Sequence, residues 1–218
     1  MRVVVGREQH QLTAPGLRER LRGFERLAVD VGTGAGRGAL ATAGAEPRTL
    51  VVGLDADAAS LVEVSRRAAS SPARGGRPNA LFVVGAAEEL PDVFETLVDE
   101  VTVRFPWGSL LRGALTGLGP VAGGLARMLR RGGALTVLVA LEPKDGFDDL
   151  LPLVADPSAL ASRLVSIYQP LGLHLDACRW ATASEIAASR SSWARRLRVG
   201  RDRQAVVAQL RRVETIAA

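Results

Sequence analysis

The feature that most constrains the fold is an apolar run that ends in a glycine-rich turn. Residues 27–31 read Leu-Ala-Val-Asp-Val, and residues 32–36 continue as Gly-Thr-Gly-Ala-Gly. Such a run bounded by glycines is typical of a buried strand that enters a tight turn. The alanine-rich segment that follows, closed by Gly44 and Pro47, predicts a helix. A strand, a glycine turn and a helix in this order form a candidate nucleotide-binding element, because the first helical turn offers unpaired N–H groups.

Apolar runs and helical segments alternate along the first two thirds of the chain. Strands are predicted at 27–31, 49–54, 80–84, 100–105 and 133–140, and helices at 58–70 and 119–131. This alternation at short spacing is typical of an α/β protein whose parallel sheet is covered on both faces.

After residue 141 the alternation gives way to a different pattern. Residues 147–168 are expected to be mostly helical, and 173–180 and 205–210 could form an antiparallel hairpin at the sheet edge. Trp180 lies in the first of these strands and is interpreted as a packing residue. With 47% hydrophobic residues, the chain can build one sizeable core, and we expect a single domain over residues 1–218.

Two acidic residues sharpen the interpretation of the glycine turn. Asp30 precedes it, and Asp55 follows the next predicted strand, where a carboxylate can accept both hydroxyls of a ribose. The pyrophosphate of a nicotinamide dinucleotide would be repelled by Asp30, whereas the sulfonium and ammonium of S-adenosylmethionine would be attracted. Gly32 and Gly34 would let the ligand approach the backbone, and residues 86–88 follow the third strand where an adenine could pack. The pattern favours S-adenosylmethionine, with a nicotinamide cofactor and a purely structural turn as alternatives.

A Phe-Pro-Trp-Gly motif at residues 105–108 follows the fourth predicted strand. Ligands of doubly wound sheets bind beyond the carboxyl ends of the strands, so Trp107 is expected in the crevice near the donor methyl group. The alternative is a core aromatic residue. Only 4% of the residues are aromatic, and a Pro-Trp-Gly turn is an unusual place for core packing, so we favour the functional interpretation.

The segment 190–212 carries eight arginines and Trp193, opposed by one acidic residue, Asp202, so its net charge is +7. Such a density of positive charge predicts a polyanionic partner, and an aromatic ring among the arginines offers a stacking surface for a base. Trp107 and Trp193 could together clamp a base flipped out of its helix. A hydrophobic anchor for a C-terminal helix is the alternative role of Trp193.

Together these motifs resemble the aminoglycoside-resistance 16S rRNA methyltransferases of the kanamycin–apramycin type, which modify N1 of adenine 1408. The resemblance rests on residues 30–34, 54–57, 87–88, 106–113, 192–197 and 201–203. It implies the class I S-adenosylmethionine-dependent methyltransferase fold, which is Rossmann-like, with a mostly parallel seven-stranded sheet and an antiparallel edge hairpin. It also implies methyl transfer to adenine 1408 in the 30S subunit, and hence aminoglycoside resistance.

The resemblance further implies roles for individual residues. Cofactor contacts fall on Asp30, Gly32, Asp55, Ala87, Glu88 and Ser109, to which we add Gly34 and Pro106. Trp107 and Trp193 would hold the flipped adenine and are the predicted catalytic residues. Contacts with rRNA fall on Arg66, Arg67, Arg196, Arg201 and Arg203. The chain departs from the family pattern at Arg104, where an aliphatic residue is usual.

Other functions stay open at this level. The target could be another rRNA or tRNA base, such as N7 of a guanine, or the chain could be a non-enzymatic RNA-binding protein with a Rossmann core. Adenine N1 has an in-plane lone pair, so no general base is required, and His10 and His174 lie outside the motifs. We expect a cytoplasmic protein without membrane contact, because no apolar run is long enough for a span and residues 1–11 do not resemble a secretory signal. The resemblance implies a monomer, and we expect no metal and no DNA partner.

Overall fold

The secondary structure follows the predicted alternation closely. The structure is a computed structural model that describes residues 1–191, 199 and 203–213. The strands are β1 Arg2–Val5, β2 Glu8–Gln11, β3 Arg26–Val31, β4 Thr49–Asp55, β5 Ala80–Val84, β6 Val98–Arg104, β7 Leu129–Val139, β8 Leu173–Trp180 and β9 Val206–Arg212. The helices are α1 Ala14–Leu21, α2 Arg37–Ala45, α3 Ala58–Ala68, α4 Gly108–Thr116, α5 Val121–Met128, α6 Leu151–Val154, α7 Pro157–Tyr168 and α8 Ala183–Ala188.

The described strands form one mixed sheet in the order β2-β1-β5-β4-β3-β6-β7-β9-β8. Strands β3 to β7 are parallel, and β9 pairs antiparallel with both β7 and β8, which confirms the α/β class and the antiparallel edge strands. From β3 the chain first adds β4 and β5 on one side and then β6 and β7 on the other. Beside such a reversal of strand order, the carboxyl ends of the strands border a crevice where ligands bind.

An N-terminal hairpin adds two strands to the seven that were predicted. β1 pairs antiparallel with β2 and, through Arg2 and Val3, with β5. Val3 and Val4 are buried, whereas every residue of β2, including His10, is exposed. The sequence analysis missed this hairpin because β1 has four residues and β2 has no apolar residue that would mark it as a strand.

Helices cover both faces of the central strands, and accordingly most side chains of β3, β4 and β5 are buried and apolar. On one face α3 contributes Leu61 and Val64, which pack against Phe82 of β5. On the other, α4 contributes Leu111 to the larger core. Burying one such side chain stabilises the fold by about 1.5–3 kcal/mol. The packing fixes the strand ends side by side, and these ends carry the candidate site.

Two expectations from the sequence differ from the structure. The helix predicted at 119–131 ends at Met128, because the following residues begin β7 and extend the sheet. Trp180 is 41% exposed instead of packed, since it lies at the end of the edge strand β8.

Across the described ranges, no helix combines the length and apolarity that a membrane crossing requires.

Candidate functional site

The glycine turn links β3 to α2 at the carboxyl edge of the sheet. Gly32, Gly34 and Gly36 have φ angles of 72°, 56° and 64°, a region that side chains with a Cβ rarely enter. The amides of Gly32 and Thr33 donate hydrogen bonds of 2.8 and 3.0 Å to the carbonyl of Leu54, which ties the turn to the end of β4. The glycines are therefore required by the backbone path, and the turn is rigidly joined to the neighbouring strand.

Asp30 is buried below this turn, with 6% of its surface exposed. Its carboxylate accepts hydrogen bonds of 2.7 Å from the hydroxyls of Thr33 and Thr102, and Nη1 of Arg104 lies 3.2 Å away. A buried carboxylate needs such partners, since leaving it without donors would be costly. Thr102 belongs to β6, so Asp30 joins the glycine turn to the strand on its other side.

Arg104 stands where the resemblance predicts an aliphatic residue, and it supplies the positive charge beside Asp30. Ser189 and Arg104 approach Gly38, in the first turn of α2, so closely that a side chain there would not fit. A Cβ atom added at this glycine would lie 2.7 Å from the carbonyl oxygen of Ser189 and 3.3 Å from Arg104. Asp30, Arg104 and Ser189 therefore converge on the start of α2. Because Ser189 immediately precedes the segment 190–212, that segment begins beside the glycine turn.

Asp55 and the turn after β5 complete this edge. One carboxylate oxygen of Asp55 accepts from the amide of Gly34 at 2.7 Å, and the other accepts from the amide of Asp57 at 3.0 Å. A carboxylate has about four lone-pair sites, so acceptor positions remain for hydroxyl groups of a ligand. Ala87 and Glu88 are half-buried in a 3₁₀ turn that follows β5. The acids and this turn thus lie at the ends of three adjacent strands, β3, β4 and β5.

The connection from β6 to α4 contains two residues with positive φ, of which only Phe105 is strained. Phe105 has φ of +50°, which is rare for a bulky residue, and Gly108 has φ of +57°. The amide of Phe105 donates a 2.6 Å hydrogen bond to the carbonyl of Leu138, which holds the strained residue in place. Strain of this kind concentrates at functional sites. Between the two residues, Pro106 is buried and Trp107 is 40% exposed, which excludes the alternative of a core tryptophan.

The first turn of α4 covers the glycine turn. A Cβ atom on Gly32 would lie 2.5 Å from the Cδ2 atom of Leu110, so the two segments are in contact. Ser109, the neighbour of Leu110, is exposed at this position. The structure therefore brings the β6–α4 connection, with the predicted cofactor residues Pro106 and Ser109, next to the glycine turn after β3.

Three residues around Trp107 were missed by the sequence analysis. The ring of Phe147 meets that of Trp107 edge to face, with centroids 5.0 Å apart and an interplanar angle of 88°. The guanidinium of Arg112 lies 5.4 Å from the centroid of the Phe147 ring and forms two hydrogen bonds with Asp149. Phe147 and Asp149 lie in a loop far along the chain, so local sequence patterns gave no signal for them.

The arginines predicted to contact rRNA fall in different environments. Arg66 and Arg67 are exposed in the last turn of α3, where Arg66 is hydrogen-bonded to Glu63 at 2.8–3.2 Å. The hydrogen bond with Glu63 raises the pKa of Arg66. Arg196 and Arg201, like Trp193, lie outside the described residues.

Arg203, which was also predicted to contact rRNA, is buried, with only 1% of its side chain exposed. Its guanidinium is 2.6 Å from a carboxylate oxygen of Asp145 and 3.2 Å from one of Glu142. A buried arginine requires such compensation for its lost hydration. Both acids lie in the loop after β7, so Arg203 ties this loop to the chain just before β9. The sequence could not reveal this pairing across so long a separation.

Comparisons with known proteins agree with one another. The sequence model of the NpmA family, described as 16S rRNA (adenine(1408)-N(1))-methyltransferase, matches residues 2–212. A protein of that description from Streptoalloteichus hindustanus is 36% identical over 213 residues, covering 95% of this chain and 97% of its own. The structure of a mutant of the same enzyme type from Catenulisporales acidiphilia, with cosubstrate SAM, has a TM-score of 0.83 at 30% identity and covers 100% of this chain and 99% of its own. The antibiotic-resistance methyltransferase Kmr has a TM-score of 0.78 at 30% identity, covering 98% of this chain and 100% of its own.

Proposed function

This chain belongs to the family of 16S rRNA (adenine(1408)-N(1))-methyltransferases, and from that premise we propose that it methylates N1 of adenine 1408 in the 30S subunit. The activity uses S-adenosylmethionine and confers aminoglycoside resistance. The observation that carries the proposal is one edge of the sheet, where the glycine turn, two carboxylates and the half-exposed Trp107 lie together.

The residues at this edge fit S-adenosylmethionine, which supplies a methyl group activated by its positively charged sulfur. Asp55 retains acceptor positions for ribose hydroxyls, and Asp30 provides a negative charge near the amino-acid end. Ala87 and Glu88 would border the adenine. The remaining proposed contacts are Gly32, Gly34, Pro106 and Ser109.

Catalysis in this account is mainly positioning of the target base. Adenine N1 presents its lone pair without loss of a proton, so the chain needs no general base. Trp107 and Trp193 would hold the flipped base between them, and their ring faces would favour the positive charge that develops on it. His10 and His174 are exposed on outer strands of the sheet, which agrees with a site that does not use histidine.

Docking on rRNA is assigned to exposed arginines. We propose Arg66, Arg67, Arg196 and Arg201 as phosphate contacts, and leave Arg203 out because it is buried. Such contacts make binding dependent on salt concentration.

We also propose how the protein is organised: one methyltransferase domain over residues 1–218, in which 190–212 contributes to RNA docking. We propose that it acts as a cytoplasmic monomer, without DNA or membrane partners.

Transfer of tritiated methyl groups to purified 30S subunits, followed by reverse transcription across the decoding site, tests this function. A new stop at adenine 1408 is expected, because N1 methylation blocks base pairing. Label without that stop would move the target to another position, such as N7 of a guanine. Absence of label despite donor binding would favour the non-enzymatic RNA-binding alternative. The variant His10→Gln, altered on the exposed strand β2, serves as a control that should label normally.

A further inference from the structure

The orientation of Trp107 depends on residues outside its own turn. Its backbone is constrained by the positive φ angles of Phe105 and Gly108, but those constraints do not determine how the indole is turned. One contact of the indole is with the ring of Phe147, at right angles and 5.0 Å away. Edge-to-face pairs of this kind have a preferred geometry, so one ring limits the rotation of the other.

Phe147 is itself firmly held. It belongs to the main hydrophobic core, and its carbonyl accepts hydrogen bonds from the amides of Leu150 and Leu151 at the start of α6. The ring is thus an extension of the core that reaches the crevice, while Trp107 keeps 40% of its surface exposed there.

A charged pair holds the ring of Phe147 from another direction. Arg112 of α4 places its guanidinium over the ring and is hydrogen-bonded twice to Asp149, two residues after Phe147. The hydrogen bond between them raises the pKa of Arg112 and lowers that of Asp149. Both side chains are substantially exposed, and exposed ion pairs contribute little to folding stability. The arrangement of Arg112 and Asp149 is therefore better explained by a role in holding the Phe147 ring than by a contribution to folding stability.

We propose that Phe147, braced by Arg112 and Asp149, is a positioning residue that holds the indole of Trp107 in the orientation required to receive the target adenine. The inference rests on the proposed function, since it assigns a purpose to the orientation of Trp107. These three residues act through Trp107 and are not assigned a contact with the RNA.

Single-turnover methylation of 30S subunits by the variants Phe147→Leu, Phe147→Tyr and Arg112→Gln tests the proposal. Phe147→Leu should lower the rate constant about tenfold, the magnitude expected of one ring contact. Donor affinity by calorimetry and 30S affinity by competition should stay within about twofold, because neither depends on the indole orientation. Phe147→Tyr keeps the ring and should restore most of the rate, and Arg112→Gln should cause a smaller loss, about threefold.

Two comparisons separate positioning from a merely structural role. Arg163→Gln removes another exposed arginine that contacts α4, through the carbonyl of Thr116, and should leave the rate unchanged. The double variant Trp107→Ala/Phe147→Leu should be no slower than Trp107→Ala alone, because Phe147 acts only through that ring. Additive losses in the double variant, or equal losses of rate and donor affinity in Phe147→Leu, would overturn the proposal.

The same experiment distinguishes failure of the proposed function. If the wild-type protein labels a base other than adenine 1408, the target is wrong, but the variant series on the labelled base still decides the role of Phe147. If Trp107→Ala methylates at the wild-type rate, the roles of both Trp107 and Phe147 are refuted.

Discussion

The two halves of the candidate site are built in different ways. The cofactor half, formed by the glycine turn 32–36 and the ends of β3, β4 and β5, is held mainly by bonds between neighbouring strand ends, such as Gly34 to Asp55. The base half, formed by the turn 105–108, the loop 141–149 and the described residues Ser189 and Arg203, depends on contacts such as Trp107 to Phe147 and Arg203 to Asp145. The first half is therefore organised around one local motif, the glycine turn, whereas the second depends on contacts between distant loops, and the two should be separable by mutation.

The largest effect is expected in the base half, from Arg203→Ala. The substitution leaves Asp145 buried without its cationic partner, which costs about 3–5 kcal/mol. The melting temperature should fall by roughly 10 °C, measured by scanning calorimetry. Arg211→Ala, at an exposed arginine paired with Asp176, is the matched control and should change little. A variant of Arg203 with normal stability but defective 30S binding would restore the rRNA contact predicted from the sequence.

In the cofactor half, Asp55→Asn should weaken donor binding while the fold stays intact. Hydrogen bonds to a charged acceptor contribute about 1.5–3 kcal/mol, so the dissociation constant of S-adenosylmethionine should rise about 10- to 150-fold. Calorimetric titration measures this. Asp57→Asn, at the exposed N-cap of α3, alters a neighbouring acid and should bind the donor normally. Equal losses in the two variants would mean that Asp55 has no specific role.

Arg104→Leu tests whether the positive charge of Arg104 weakens the binding of the positively charged donor. Without the guanidinium, the carboxylate of Asp30 keeps its two threonine donors and should attract a cationic ligand more strongly. S-adenosylmethionine should bind about fivefold more tightly, or about 1 kcal/mol, whereas the neutral thioether product should gain less. Arg26→Leu, at the opposite end of β3, is a suitable control. Weaker binding of both ligands would show that Arg104 instead contacts the donor directly.

The smallest effect concerns α8, which leads into the segment 190–212. Glu185 closes a capping box with Thr182 and binds Arg179, and the latter hydrogen bond lowers its pKa to about 2. A depressed pKa in the folded state stabilises the protein above the unfolded pKa and loses this contribution as the pH falls towards 2. The stability difference between wild type and Glu185→Gln, from denaturant unfolding, should therefore shrink between about pH 5 and pH 2. A difference that stays constant over this range would contradict the assignment.

The sequence predicted the fold and the position of the glycine turn, for physical reasons. Strands β3, β4 and β5 contain short runs of mostly apolar residues, and the glycine turn needs residues that tolerate positive φ, so both leave local patterns. The hairpin of residues 2–11 left none, because β2 is wholly polar. Burial of Arg203 and the support of Trp107 by Phe147 depend on residues brought together only by the sheet, and an arginine in a basic segment looks the same whether it faces solvent or two carboxylates.

The separation of the two halves is tested most directly by Trp107→Ala, with donor affinity and methylation of 30S subunits measured on the same preparation. The account predicts that the dissociation constant of S-adenosylmethionine changes by less than about twofold, while the methylation rate falls by about 100-fold or more, as expected when stacking worth roughly 1–3 kcal/mol and the base orientation are lost together. A parallel loss of donor binding and methylation would contradict it, because Trp107 would then belong to the cofactor half.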